Sequence, residues 1–209
     1  MKIKVLFEGR HDNHYLEDGN GYDIFPLYSS STLILGKKKI LVDTGDISSV
    51  DKLLDSLKKE GLTPDEIDFL VLTHFHLDHC SNVYLFKNSE IVTCSAVRFP
   101  SGKARILKNF PSGYVAGVEI MKTPGHTLDS ISVIAGDAIC AGDAVRENHI
   151  RNKRIPKYRS GEMYLGSLKK IFNLSKIKKI IPGHGKVIEG DNLNELREIV
   201  NNLTLKNVF

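Results

Sequence analysis

Short apolar runs separated by polar segments predict a series of β-strands in the first part of the chain. Lys2–Phe7 is the first of these runs, and the polar segment rich in Gly, Asn and Asp that follows it, through Asp23, is predicted to be a loop. Two further apolar runs, Ser31–Leu35 and Lys39–Val42, are separated by only three residues. A connection this short predicts that these two strands form a β-hairpin.

A change to helical periodicity follows the hairpin. Over residues 48–60, Val and Leu recur at the spacing of one helix face, and Gly61 stands where a C-terminal cap is expected. Residues 67–72 are a nearly continuous apolar run, which is typical of a strand buried on both faces. Further strands are predicted at 91–94, 118–121, 130–134, 138–140 and 179–181, and further helices at 163–173 and 192–203. This order predicts an α/β protein with helices packed outside layered sheets.

The composition is that of an ordinary globular protein. Of the 209 residues, 41% are hydrophobic and 26% are charged, and a chain of this length buries about 70% of its unfolded surface. Because no long linker interrupts it, we expect a single domain over residues 1–209. The apolar runs are far shorter than the roughly 20 residues that cross a bilayer, and no secretory signal pattern is visible. We therefore expect a cytoplasmic protein that does not associate with membranes.

Positive charge is concentrated in one part of the sequence. The net charge is +4, whereas residues 146–179 alone contain eleven Lys and Arg against two Glu, a local charge of +9. This segment fits an anionic partner such as RNA or a phosphorylated metabolite, and it fits a solvated basic surface equally well. Arg146, Lys153 and Arg154 are its candidate substrate-binding residues.

Four metal-ligating side chains lie within six residues, directly after the apolar run at 67–72. They are His74, His76, Asp78 and His79. In an extended segment His74 and His76 point to the same side, because side chains alternate with period two. Asp78 and His79, at the start of the next helix, can then face a second ion.

Three more candidate ligands each follow an apolar strand and stand beside Gly or Pro residues of a tight turn. They are His126, Asp143 and His184. Imidazole and carboxylate are ligands for zinc, iron and manganese, and a catalytic zinc site needs about three protein ligands and an open position. Seven groups can therefore form two three-ligand sites that share one bridging carboxylate.

These four segments, together with Val42-Asp43-Thr44-Gly45, resemble the five ordered motifs of the metallo-β-lactamase superfamily. The resemblance extends from about residue 41 to residue 186. It implies the fold of that family, a four-layer αββα sandwich of the α/β class. It also implies two zinc ions per chain, with iron or manganese as alternatives.

The resemblance further implies a role for each ligand. The first metal would be held by three histidines, His74, His76 and His126. The second would be held by Asp78, His79 and His184. Asp143 would bridge the two ions, and Asp43 would brace the site without touching metal. Asp78 would also be catalytic, by orienting a hydroxide shared by the two metals.

At several positions this chain differs from the sequence patterns of particular branches of the superfamily, and these differences argue against the functions of those branches. Class B1 β-lactamases carry Arg and Cys where this chain has His79 and Asp143, and flavodiiron proteins carry Glu in place of His76. Glyoxalase II carries an additional helical domain, which residues 191–209, with one predicted helix, would be too short to form. The segments around residues 5–9, 31–45 and 180–185 are similar to small domain-only proteins related to a histone pre-mRNA nuclease.

Three enzymatic functions stay open, and a metal-binding module without catalytic activity is a fourth possibility. The first is a dinuclear hydrolase of an ester, thioester, lactone or phosphodiester. The second is an RNA or DNA nuclease that uses the basic stretch at 146–159. The third is an oxidoreductase similar to the persulfide dioxygenases, with a single iron. His149, Tyr22 and Tyr158 are candidates for protonating the leaving group, and the oligomeric state is left open by the sequence.

Overall fold

The computed structural model describes residues 1–108, 114–115, 117–157 and 160–209. The strands are β1 (Lys2–Phe7), β2 (Arg10–Tyr15), β3 (Tyr22–Tyr28), β4 (Ser31–Leu35), β5 (Lys39–Val42), β6 (Phe69–Val71), β7 (Glu90–Val92), β8 (Ala96–Arg98), β9 (Ala104–Ile106), β10 (Glu119–Lys122), β11 (Ile131–Ala135), β12 (Ala138–Gly142), β13 (Lys179–Pro182) and β14 (Ile188–Glu189). The helices are α1 (Val50–Lys59), α2 (Leu77–Cys80), α3 (Glu147–Arg151), α4 (Gly161–Phe172) and α5 (Gly190–Asn202). Short 3-10 turns lie at Ile47–Ser49, Pro64–Glu66, Val83–Leu85 and Leu205–Asn207.

Most strands belong to two mixed sheets. The first sheet has seven strands in the order β1-β4-β5-β6-β7-β8-β9, and β5, β6 and β7 run parallel within it. The second has five strands in the order β10-β11-β12-β13-β14, with β12 and β13 parallel. Loops that leave the carboxyl ends of parallel strands meet at one edge of a sheet, which is where α/β proteins usually place their functional groups.

Three apolar clusters define the layers. The central cluster joins the facing sides of the two sheets, for example Val71 and Val92 of the first sheet with Val133 and Ile181 of the second. A second cluster packs the outer side of the first sheet against α1, and a third packs the outer side of the second sheet against α4 and α5. Along each strand, successive buried residues belong alternately to the inner and the outer cluster, because side chains of a strand point to opposite faces of the sheet in turn. The predicted αββα layering is confirmed.

Most predicted elements are present with small shifts at their ends. The hairpin of β4 and β5 and the first strand have the predicted bounds, and the helix expected at 48–60 is α1 preceded by a 3-10 turn. The predicted loop before Asp23 is wrong, because β2 and β3 pair there as a separate antiparallel ribbon. Most of β2 is solvent-exposed and carries polar side chains, so it lacks the apolar alternation that marks a half-buried strand.

The helices are short. Within the described residues, none is long and apolar enough to span a bilayer. The assignment of the whole chain to one domain and the cytoplasmic location stay predictions.

Candidate metal centre

The seven candidate ligands all lie just beyond the carboxyl ends of strands. His74 follows β6, His76 immediately precedes α2, and Asp78 and His79 lie on that helix. The other three follow β10, β12 and β13 and are His126, Asp143 and His184. The two sheets bring these strand ends to one rim of the sandwich.

At that rim the ligand atoms form a continuous cluster. Three groups have all their ligand atoms within 4.8 Å of one another: His74, His76 and His126; His74, His79 and Asp143; and Asp78, His79 and His184. The first and third groups are the two ligand sets expected from the sequence. The middle group shares a histidine with each of the other two, so Asp143 lies between the two sets.

Asp43 supports this cluster from the turn after β5. One carboxylate oxygen accepts the backbone N–H of Thr73 at 2.8 Å, and the other accepts the Thr73 hydroxyl at 2.7 Å. The second oxygen also lies 2.8 Å from Nδ1 of the fully buried His79. Because Nδ1 of His79 donates to a carboxylate, Nε2 is the ring nitrogen that faces the cluster. Asp43 adopts a left-handed backbone, with φ of 56°, which aspartate tolerates better than most residues.

His184 is oriented in a similar way by a backbone oxygen. Its Nδ1 lies 3.0 Å from the carbonyl oxygen of Arg10 in β2, so this nitrogen is the donor and Nε2 faces the cluster. The ribbon of β2 and β3 is held there by backbone bonds to both ligand loops. Ser29 donates to the carbonyl of Asp78 at 2.8 Å, and Ser30 donates to that of Gly183 at 2.7 Å.

Burial keeps two imidazoles of the cluster neutral. It is the main cause that lowers the pKa of His74 to about 2, and the nearby His79 lowers it further. Burial also lowers the pKa of His126 to about 4, against the opposing effect of Asp143. Both rings are therefore neutral at pH 7 and can offer a nitrogen lone pair to a metal.

The carboxylates of the cluster are ionised and attract positive charge. Burial raises the pKa of Asp78, but contacts with neighbouring histidines outweigh it and lower the pKa to about 2. Burial also opposes ionisation of Asp143, but Arg146 and His79 hold its pKa well below its usual range. Burial is the largest single influence on the pKa of His79, yet the nearby carboxylates outweigh it and raise that pKa to about 10. A divalent cation can replace a proton held in such a position.

The donor set fits divalent metal ions on three further grounds. Nε2 of His74 is buried and has no hydrogen-bond partner in the described part of the chain. Nε2 of His79 and Oδ1 of Asp143 lie 3.3 Å apart without the geometry of a hydrogen bond. A Cβ at Gly183 would collide with that same oxygen and with the His79 ring, so a glycine keeps the space between the ligands open. Buried polar atoms rarely stay unpaired unless a function requires it.

A cleft of about 470 Å³ adjoins the cluster at His184. Its walls come from the start of β2, the start of α3 and the loop after His184, and the charged or titratable side chains among them are Arg10, His11, Asp12, Arg146, Glu147, His149 and Lys186. Arg10 and His11 were missed by the sequence analysis, because β2 was interpreted as a loop. The aromatic and branched residues of β3 are the signal that could have revealed the ribbon.

The predicted substrate-binding cations do not lie together. Arg146 lines the cleft and donates to Asp143 at 2.6 Å. Lys153 and Arg154 are not among the described residues that line it. The Arg154 guanidinium stacks over the Phe209 ring, 4.3 Å from its centroid. Arg159 lies outside the described residues.

The three residues predicted as candidates for protonating the leaving group do not all lie at the cleft. His149 lines the cleft, and burial is the main cause that lowers its pKa to about 4. Tyr22 is 52% exposed and packs against Tyr15, with ring centroids 5.7 Å apart. Tyr158 lies outside the described residues. Of the two candidates that the structure describes, His149 is therefore the one that lines the cleft.

Comparison with known proteins agrees with this architecture. Residues 24–93 match a family model described as the metallo-beta-lactamase superfamily. A Xenopus laevis protein named metallo-beta-lactamase domain-containing protein 1 is 33% identical over an alignment of 197 residues, covering 88% of this chain and 79% of that protein. A Methanocaldococcus jannaschii protein named "probable metallo-hydrolase" is 30% identical over 199 residues, covering 81% of this chain and 91% of that protein.

A solved structure shares the fold. A Thermotoga maritima protein provisionally classed as a metallo-beta-lactamase has a TM-score of 0.66 at 19% identity, covering 90% of this chain and 99% of the other. At this level of identity the likeness concerns the fold alone, and it confirms the fold class predicted from the sequence.

Proposed function

Because this chain belongs to the metallo-beta-lactamase superfamily, we propose that its cluster of histidines and aspartates is the catalytic metal centre of a hydrolase. The observation that carries the proposal is the convergence of seven ligand side chains, from both sheets, into groups whose ligand atoms lie within 4.8 Å. A relative named as a metallo-hydrolase supports the same class of activity.

Two divalent ions would be held by two sets of three ligands and one shared carboxylate. The first set is His74, His76 and His126. The second set is Asp78, His79 and His184. Asp143 would serve both. Nitrogen and carboxylate ligands in this number suit zinc, with iron and manganese as alternatives.

When bound, such a metal pair would lower the pKa of a water and polarise a substrate oxygen, so that no serine or cysteine nucleophile would be needed. The protein's own groups prepare this chemistry. Asp43 and the Arg10 carbonyl fix the tautomers of His79 and His184. Asp78, which is ionised at neutral pH, is the residue that orients the attacking water by accepting its hydrogen bond.

The substrate class includes esters, thioesters, lactones and phosphodiesters. The cleft beside His184 would bind a substrate group that lies next to the scissile bond. Its lining carries the cations Arg10, Arg146 and Lys186, the carboxylates of Asp12 and Glu147, and the neutral imidazole of His149, and its net charge is +1. Asp12 is paired with Arg10 and Glu147 with Arg151, which leaves Arg146 and Lys186 as the cations that can face a substrate. This arrangement favours substrates that bear a negative charge near the reacting atoms.

A nuclease is the second candidate, and the same cleft cations are the observation that favours it. They would contact a phosphate close to the metals, although Lys153 and Arg154 lie elsewhere. Cleavage of RNA should then weaken steeply as salt increases, whereas hydrolysis of a neutral ester should respond little.

A single-iron oxidoreductase needs fewer ligands than this cluster offers. Elemental analysis separates the alternatives, since two zinc per chain supports hydrolysis and one iron supports oxygen chemistry.

The test of the main proposal uses metal content and activity together. His76→Ala and Asp143→Ala should each lower the metal content and reduce hydrolysis by at least about a hundredfold across a panel of phosphodiester, thioester and lactone substrates. His14→Ala and Asp55→Ala remove the same residue types from exposed positions outside the cluster and are the matched controls. Unchanged metal stoichiometry in both cluster variants would contradict the proposal.

A further inference from the structure

Arg146 makes a direct ion pair with the carboxylate that is proposed to bridge the two metals. Its Nη2 donates to Oδ2 of Asp143 at 2.6 Å, and only 16% of the Arg146 side chain is exposed. The same Oδ2 lies 3.3 Å from Nε2 of His126. The other oxygen, Oδ1, lies 3.3 Å from Nε2 of His79 and 3.5 Å from Nε2 of His184.

The two oxygens of Asp143 are thus divided between the two ligand sets. Oδ1 faces the second set, through His79 and His184, and Oδ2 faces the first set, through His126. For Asp143 to serve both metals, Oδ2 has to take the metal of the first set. Arg146 already lies on that oxygen.

A guanidinium and a divalent cation compete for Oδ2. Both are positively charged, and their repulsion is strong in a buried site with a low effective dielectric constant. Arginine cannot relieve it by losing its proton, because a guanidinium stays charged in proteins. Movement of the side chain away from Asp143 would relieve it.

The cleft gives Arg146 a place to move to. Arg146 immediately precedes α3 and lines the cleft together with Arg10, His11 and Lys186. Arg10 is paired with Asp12 across the surface of β2, whereas Lys186 has no ion-pair partner among the residues that the structure describes. A guanidinium turned into this space would face the solvent and any anion bound there.

We infer that Arg146 is an exchangeable counter-ion, which neutralises Asp143 until the first metal set is filled and then turns into the cleft to bind an oxyanion of the substrate. This inference rests on the proposed function and names its substrate class as one with a carboxylate or phosphate group near the scissile bond. The planar guanidinium matches both anions with two parallel hydrogen bonds.

Metal affinity is the first test, with Zn²⁺ titrated against a chelator. Arg146→Met removes the competitor for Oδ2 and should tighten binding of the weaker Zn²⁺ ion by roughly tenfold. Lys186→Met removes one positive charge from the same cleft without touching Asp143, and its effect should be several times smaller. Arg146→Lys keeps a charge that can reach the carboxylate and should restore affinity towards that of the unmodified protein.

Anion affinity is the second test, with inorganic phosphate titrated into the zinc-loaded protein. Here Arg146→Met should weaken phosphate binding by roughly tenfold, because a charge-assisted hydrogen bond is lost. The two effects have opposite signs. A purely structural role for Arg146 would instead weaken both zinc and phosphate binding, and that result would overturn the inference.

The outcomes separate this inference from the proposed function. If the unmodified protein binds no divalent metal, the proposed function fails and the inference fails with it. If the protein binds two metals but Arg146→Met binds Zn²⁺ no more tightly than Lys186→Met, only the inference is overturned. Thermal unfolding of each variant without metal confirms that it folds.

Discussion

Replacing Asp43 by asparagine tests whether the metal centre depends on a side chain that is not itself among the proposed ligands. Asparagine has nearly the same shape and tolerates the left-handed backbone of this position. Its amide oxygen can still accept the Thr73 N–H. Its NH₂ group, however, would meet the Thr73 hydroxyl and Nδ1 of His79, both of which donate to the carboxylate.

Two donors cannot face each other, so the His79 ring must respond. The ring can place its proton on Nε2 and accept at Nδ1, but Nε2 is the atom that faces the metal cluster. We therefore expect metal affinity to fall by about 10–100-fold, the range found when a partner of a metal-binding histidine is lost. The metal-free protein also loses a buried hydrogen bond to a charged group, a cost of about 1.5–3 kcal/mol.

The assay is a chelator-competition titration of Asp43→Asn, combined with urea unfolding of the metal-free protein. Asp46→Asn is the matched control, because Asp46 lies three residues away and its side chain accepts, within the described residues, only the backbone N–H of Ser48. That control should keep its metal affinity and lose about 1 kcal/mol or less. If Asp43→Asn binds metal as tightly as the unmodified protein, the tautomer argument is refuted.

Three further predictions follow from the same contacts. Gly183→Ala would push a methyl group against Asp143 Oδ1 and the His79 ring, so metal binding should be lost and stability reduced by about 1–3 kcal/mol, measured by titration and urea unfolding. Gly166→Ala, in the middle of α4 with open space around its Cβ, should instead stabilise the protein by about 0.5–1 kcal/mol, and a loss of stability there would contradict the helix assignment. Stability without metal should fall as the pH drops from 6.5 towards 4. In that range the unfolded chain takes up protons that the native His74 and His126 resist, since their pKa values are about 2 and about 4. Through His74 alone, the free energy of unfolding at pH 4.5 should be about 2–3 kcal/mol lower than at pH 7. Equal urea midpoints at the two pH values would rule out this effect.

The ligand cluster could be predicted from sequence because each ligand follows a strand with a strong apolar signal. β6, β12 and β13 are buried in the sandwich, and their carboxyl ends fix where the next residues emerge. The division of these residues into two ligand sets was predicted from the resemblance to the ordered motifs of the superfamily.

The cleft beside the cluster could not be predicted in the same way. The ribbon of β2 and β3 is held by interstrand bonds and by contacts to the ligand loops, so its residues need no apolar pattern. For Lys153 and Arg154, nearness in sequence to Asp143 was a poor guide. The chain passes through α3 after Arg146, and Ile155 then pairs with Val208 in the C-terminal segment.

The cluster also depends on how the two sheets meet. Four of its seven ligands follow the first sheet, on the segment from His74 to His79, and three follow the second sheet. The backbone joins the two sheets at this rim, because Ile131 of β11 donates to the carbonyl of Thr73, next to His74, at 2.9 Å. Since this bond forms only when the sandwich is closed, the fold itself sets the positions of the proposed ligands. A site organised in this way would need little rearrangement on metal binding apart from movement of Arg146, which lies on the carboxylate of Asp143 that is proposed to bridge the metals.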